Sequence, residues 1–217
     1  MADRYLLWID QAGCWLLLAG EEFRIGSPEQ QPRASALTVK TDTSHGETYS
    51  AQGHGQDIAI LADISRHHAT IQKLDEHWLI HPHRNVVVNG KTLTNTATVH
   101  SDDELCLNGR VRLKFRIPNA VAGTALLEFM SVHRTPWNVN GIILMSDFCL
   151  IGSKTDHHIV CTEWSSPVIL YRQNHEVCVR SEMPLEIDHQ KCTNGSAVSG
   201  GQIVSGTDLR FRLERIS

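Results

Sequence analysis

Residues 5–27, YLLWIDQAGCWLLLAGEEFRIGS, recur in pattern at residues 125–153, ALLEFMSVHRTPWNVNGIILMSDFCLIGS. Tyr5-Leu6-Leu7-Trp8 answers to Ala125-Leu126-Leu127-Glu128-Phe129. Cys14-Trp15-Leu16-Leu17-Leu18 answers to Gly141-Ile142-Ile143-Leu144-Met145, and Phe23-Arg24-Ile25-Gly26-Ser27 to Cys149-Leu150-Ile151-Gly152-Ser153. Further on, His68-Ala69-Thr70-Ile71 matches Val168-Ile169-Leu170-Tyr171 at an offset of 100, and Val111–Phe115 matches Leu209–Leu213 at an offset of 98. Self-similar runs in the same order mean two copies of one module, and 217 residues are enough for two small domains.

Within each copy the apolar runs are short and bounded by turn residues. Ile58–Leu61, Ala69–Ile71, Trp78–Ile80 and Val86–Val88 join those quoted above, separated by Asp10-Gln11-Ala12-Gly13, Asp75-Glu76 or Asn89-Gly90. This spacing predicts strands and an all-β sandwich. Val111 to Ile117 alternates apolar and basic residues, the pattern of a half-buried strand with a basic outer face. The best helical window, Ala120 to Met130, contains Gly123 and has a weak polar face, so little helix is expected.

The copies differ in one connection. Ser27 and Ser65 are 38 positions apart, whereas Ser153 and Ser165 are 12 apart. The excess is a stretch over 28–56 rich in Gln, Ser, Thr, Gly and His, read as a long loop. Between the copies, Pro118 stops a strand because it cannot donate to a ladder, and Asn119, Ala120 and Gly123 are linker-type residues. The expected division is therefore 1–118, a linker at 119–123, and 124–217.

Composition narrows the function classes. With 41% apolar and 20% charged residues the chain can bury a core. A formal charge of -4 disfavours general binding to a nucleic-acid backbone. The basic stripe Arg112, Lys114, Arg116 has no interleaved aromatics for base stacking. The apolar run Cys14–Gly20 is too short to span a bilayer, and acidic Asp3 and Asp10 around the first apolar run are unlike a secretory leader. No membrane partner or leader is expected. Six dispersed cysteines without a CxxC pair suggest reduced thiols in a cytoplasmic protein.

Ile64-Ser65-Arg66-His67-His68-Ala69-Thr70-Ile71 then carries a specific likeness. With Ile25-Gly26 before it, and Trp78, Val88-Asn89-Gly90 and Asp103–Leu107 after it, the first half resembles the forkhead-associated (FHA) family. That resemblance implies two tandem FHA-type β-sandwiches of about eleven strands each, the first binding phosphothreonine through its end loops. It implies Ser65, Arg66, Arg84, Asn85 and Ser27 as peptide-binding residues, with His68, Gly26, Asn89 and Gly90 supporting the site. Phosphate recognition needs hydroxyl and N–H donors and a guanidinium, since charge-assisted bonds to a dianion are the strong ones.

Two positions depart from the family pattern. Ser27 stands where the family has Arg after Ile-Gly, and Arg84-Asn85-Val86 stands where it has Asn-Gly-Thr. Arg84, Arg33 or Arg24 are candidates to compensate. In the second half, Val168 falls opposite His68, Ser166 or Pro167 opposite Arg66, and Ile187-Asp188-His189 opposite Val88-Asn89-Gly90. This copy reads as degenerate and non-binding.

Other chemistries find less support. Adjacent histidines on a strand point to opposite faces, so His67-His68 and His157-His158 are poor chelates. Only His81 and His83 could share a face, and no metal or other cofactor is expected. The chain has no Gly-x-Ser-x-Gly elbow and no phosphate-cradling Gly-Lys-Ser/Thr loop. The expectation is a non-enzymatic signalling or scaffold protein whose partner is phosphorylated on threonine by a Ser/Thr-kinase pathway. The alternative is an assembly module with a decayed phosphate site, binding proteins independently of phosphorylation.

Overall fold

The computed structural model describes residues 3–28, 57–174 and 176–216. The expected loop lies outside the described residues from 29 to 56, as does Arg33. Eleven strands precede the 3-10 turn Ala120–Ala122: β1 (Asp3–Ile9), β2 (Gly13–Ala19), β3 (Glu22–Gly26), β4 (Ile58–Ala59), β5 (Ala69–Leu74), β6 (His77–Pro82), β7 (Val86–Val88), β8 (Lys91–Thr92), β9 (Ala97–Val99), β10 (Glu104–Leu107) and β11 (Val111–Arg116). Eleven follow it: β12 (Ala125–Phe129), β13 (Gly141–Met145), β14 (Phe148–Gly152), β15 (Ile159–Val160), β16 (Val168–Gln173), β17 (Glu176–Ser181), β18 (Leu185–Ile187), β19 (Gln190–Cys192), β20 (Ser196–Ala197), β21 (Ile203–Ser205) and β22 (Arg210–Ile216). Among the described residues there is no α-helix, only strands, their connections and this one 3-10 turn.

The strands form three sheets. Two have five strands, β4-β3-β5-β6-β9 and β15-β14-β16-β17-β20. The third has twelve, β19-β18-β21-β22-β1-β2-β13-β12-β11-β10-β7-β8. Replacing each strand by its counterpart in the other half reverses this order and leaves it otherwise unchanged. At its centre β2 and β13 run parallel, from Trp15 opposite Gly141 to Ala19 opposite Met145.

The first hairpin of each half lies against the other half. β1 pairs with β22, Trp8 facing Arg212 and Leu7 facing Leu213. β12 pairs with β11, Leu127 facing Phe115. The division at 119–123 separates the sequence repeats, but hydrogen bonding runs straight across it. Asn119 caps the connecting turn by accepting from Val121 N (3.1 Å) and Ala122 N (3.2 Å). The stretch read as the best helical window therefore supplies only one turn before it becomes β12.

This exchange accounts for the nearly continuous apolar runs of β1, β2, β12 and β13. A strand covered on both faces cannot alternate apolar with polar. Leu6, Leu16 and Leu18, with Leu127, Ile142 and Leu144, face one core, which contains Phe23, Ile71, Trp78 and Ile80. Their neighbours Tyr5, Leu7, Leu17, Leu126 and Ile143 face a second core built on Ile151, Val168, Leu170 and Val179. Since alternate side chains on a strand take opposite faces, the small sheets cover opposite sides of the long sheet.

The basic stripe on β11 is occupied by ion pairs. Arg112 meets Glu104 at 2.6 Å, Lys114 meets Asp102 at 2.8 Å and Arg116 meets Glu128 at 2.9 Å. All six cysteines are free thiols, four of them buried. Burial pushes Cys14 and Cys161 up to about 11, so both stay protonated at neutral pH. No helix of the described residues is long and apolar enough to cross a membrane.

Candidate functional site

At the end of the first small sheet, Ser27 and Pro28 after β3 and the β4–β5 connection border a groove of about 580 Å³. It is lined by Ser27, Pro28, Leu61, Ala62, Asp63, Ile64 and Arg66. The groove wall is held by backbone bonds: Ile60 N donates to Gly26 O (2.8 Å), Ala62 N to Ile60 O (2.9 Å) and Ile64 N to Ala62 O (2.9 Å). Asn108 Nδ2 donates to Asp63 O at 3.0 Å, and Arg110 meets the Asp63 carboxylate at 3.5 Å. Sequence reading singled out none of Leu61, Asp63, Asn108 and Arg110, because their common location follows from the turns alone.

His68 organises the loop that carries Ser65 and Arg66. It is buried, with Ser65 N donating to its Nδ1 (3.3 Å) and its Nε2 bonded to Asn85 O (2.9 Å). Its own carbonyl accepts from His83 N (3.0 Å) and Arg84 N (3.1 Å). A buried imidazole making two bonds fixes two loops relative to one another. Ser27 N donates to Ser65 O (3.1 Å), so the two expected residues lie on hydrogen-bonded backbone segments.

Gly26 is required by close approach. A Cβ there would overlap the carbonyl of Arg66 and lie 2.8 Å from that of Ser65. Gly26→Ala should push this loop outward and destabilise the chain by about 1–3 kcal/mol, the usual cost of overpacking. Urea unfolding followed by tryptophan fluorescence measures it; an unchanged midpoint would contradict the contact.

Other expected residues lie elsewhere. Arg84 is exposed and its guanidinium turns back to His83 O (2.8 Å), while Asn85 contributes its carbonyl to His68. Neither lines the groove. Arg24 sits on β3 beside Glu22 at 3.7 Å. Asn89 and Gly90 form the β7–β8 turn, both with positive φ (49° and 78°), a conformation that Asn and Gly adopt at least cost. Asn89 Oδ1 accepts from Glu104 N (2.8 Å) and its Nδ2 donates to Asp103 (2.7 Å), tying the turn to β10.

The His67 and His83 rings pack at a tilt of 48° with centres 3.9 Å apart, and the Nε2 of each lies 3.0 Å from Thr70 Oγ1. His81 bonds Gln72 (3.1 Å) and Thr96 (2.8 Å). The described residues contain no cluster of three or more His, Cys, Asp or Glu arranged to hold a metal.

The second half repeats this framework with other residues. Ile25 pairs with Ala69 and Ile151 with Val168, so Val168 corresponds to Ala69. The alignment that set it against His68 is corrected by one residue, which leaves Pro167 in that place and no imidazole to bond two loops. Asp188 repeats the turn bond of Asn89, its Oδ1 accepting from Ile203 N at 3.0 Å. His158 takes the place of Asp57: Arg24 N donates to Asp57 (3.0 Å), and Leu150 N donates to His158 Nδ1 (2.9 Å).

Burial lowers the His158 imidazole to about 4. Its folded value lies below the unfolded one of about 6.5, so the unfolded chain takes up the proton first. This contribution to stability is complete above pH 6.5 and falls away as the pH drops towards 4, by about 3 kcal/mol in full. His158→Asn keeps an acceptor for Leu150 N. Its unfolding free energy should lose correspondingly less between pH 7.5 and 4.5 than that of the parent chain.

Residues 53–108 match the family model for the FHA domain. They contain the groove residues Leu61–Ile64 and Arg66, with His68, Asn89 and Gly90; Ser65, bonded to His68, is not among the residues lining the groove. The crystal structure of the FHA domain of the CT664 protein from Chlamydia trachomatis is similar at 18% identity, covering 49% of this chain and 90% of that one with a TM-score of 0.26. No curated protein matches the chain.

Proposed function

We propose that the first half binds a phosphothreonine-containing segment of a partner protein, in a signalling or scaffold role downstream of a Ser/Thr kinase, without catalysis. The observation that carries this reading is the groove of Ser27, Leu61–Ile64 and Arg66, lying almost wholly within the FHA-matched segment and fixed by His68. In this reading Ser65 and Ser27 donate hydroxyls to the phosphate and Arg66 supplies the cation. Gly26 and His68 hold the Ser65 loop, and Asn89-Gly90 braces the neighbouring turn. Arg84 acts through the backbone carbonyl of His68 and Asn85 through its imidazole ring. The second half, lacking a counterpart of His68, contributes structure and no phosphate site.

The test is a phosphothreonine peptide library titrated against its unphosphorylated twin on the full chain. Preference for the phosphorylated set is expected. Equal binding of both sets would refute phosphate recognition and favour the second reading, constitutive protein assembly.

One observation favours that second reading. The outer face of the second small sheet carries Phe148, Leu150, Ile169 and Tyr171, all half-buried, where the first has Glu22, Arg24, Thr70 and Gln72. An apolar outer face in only one of two related sheets is the mark of a contact surface.

A further inference from the structure

The outer face of the second small sheet is apolar at its middle and charged at two opposite corners. Cys149, Ile151, Val168, Leu170 and Val179 point into the second core, so alternation along each strand turns Phe148, Leu150, Ile169, Tyr171 and Arg180 outward. Register sets Phe148 against Tyr171, Leu150 against Ile169, and Ile169 against Arg180. Phe148, Ile169 and Tyr171 line an open groove of about 450 Å³ together with Asp147 and Arg180. Asp147 precedes β14 and Arg180 belongs to β17, on the other side of β16, so the two charges lie diagonally across the apolar patch.

Both charges are exposed, and neither makes a hydrogen bond or ion pair among the described residues. The carboxylate is seated against Gly123, where a Cβ would lie 2.6 Å from Asp147 Oδ2. Lys73, which also approaches Gly123, keeps its ammonium 5.9 Å over the Trp78 ring. On the first small sheet the equivalent positions are polar and matched within the chain, Arg24 with Glu22 (3.7 Å) and His81 with Gln72 (3.1 Å). Two charges of opposite sign that cannot reach each other, separated by aromatic and aliphatic side chains, are instead complementary to the same face turned over.

In a two-fold interface, contact of residue i with residue j is repeated as contact of j with i. A two-fold axis in the plane of the face, perpendicular to the line from Asp147 to Arg180 at its midpoint, brings Asp147 of each protomer to Arg180 of the other and lays the two apolar patches together. Resting on the assembly reading of this face, we propose that the occupant is a second copy of the chain, with Phe148, Ile169 and Tyr171 at the centre of the dimer and two Asp147–Arg180 pairs at its rim. Five strands of up to six residues make a face of roughly 20 by 20 Å, about half the roughly 800 Å² per partner of a standard interface. The dimer is therefore a weak one, dissociating in the micromolar range. The first-half groove lies with the other small sheet, across the long sheet, and stays open in it.

Sedimentation velocity of the full chain from about 1 to 200 µM brackets such an affinity, and the average mass should rise from monomer towards dimer. Asp147→Arg and Arg180→Asp should each weaken the dimer at least about tenfold, because each sets like charges together at both ends. An equimolar mixture of the two variants recreates both opposite-charge pairs and should dimerise as the parent does. Near-ultraviolet circular dichroism checks that each variant keeps the parent fold. A parent chain monomeric throughout overturns self-association and leaves assembly with a different protein standing. Single variants that dimerise like the parent, or a mixture that stays monomeric, overturn the inference as well.

Discussion

A fragment ending at Pro118 is expected not to yield a folded monomer. In the full chain β11 is completed by β12, and four large side chains of the first hairpin, Tyr5, Leu7, Ile9 and Leu17, are buried in the second core. Burying such side chains contributes roughly 1.5–3 kcal/mol each, so exposing four forfeits about 6–12 kcal/mol. That is comparable with the entire stability of a typical domain, about 5–15 kcal/mol. The fragment also loses Leu127, Ile142 and Leu144 from its own core and leaves β11 as an open edge. Two outcomes satisfy these constraints: aggregation, or a homodimer in which the hairpin of each copy completes β11 of the other. Sedimentation equilibrium with near-ultraviolet circular dichroism distinguishes both from the contrary result, a stable monomer unfolding as cooperatively as the full chain.

Ser65→Ala should weaken phosphothreonine-peptide binding about ten- to a hundredfold. A hydrogen bond to a charged group contributes roughly 1.5–3 kcal/mol, and among the described residues the Ser65 side chain makes no hydrogen bond that its loss would break. Arg66→Ala should weaken binding at least as much, because the cation acts on the whole phosphate charge. Ser165→Ala, in the corresponding loop of the second half, is the control. Ser165 N is held by Asp208 at 2.8 Å, a backbone bond that the substitution leaves in place. Calorimetric titration of the three variants with one phosphopeptide should give two large losses and one unchanged affinity. Equal affinities throughout would place the phosphate elsewhere.

Much of the site was legible in the linear sequence because its residues are close neighbours. Ser65, Arg66 and His68 lie within four positions, and the short loop brings Ser65 N to the imbibed ring nitrogen of His68 without long-range help. Gly26 could be named from its motif, although its steric reason, the carbonyl of Arg66, needed coordinates. Arg84 and Asn85, expected among the peptide-binding residues, stand outside the groove lining, since sequence order does not report on which side of His68 they emerge. Residue spacing also misplaced Val168 by one position, since connections of different length precede the strand in the two halves.

By itself the sequence determined that the chain is all-β, that it repeats, and that its first half bears the FHA pattern. These are properties of local periodicity, turn residues and motif order, all carried by residues near one another in the chain. Tertiary structure decided how the two copies are combined. The apolar runs of β1, β2, β12 and β13 require cover on both faces, and two sheets supply it only when each hairpin lies between them. That requirement exchanges the hairpins, joins twelve strands into one sheet, and carries Arg134 to Leu61. No spacing in the sequence records that contact, because it arises from packing between residues 73 positions apart.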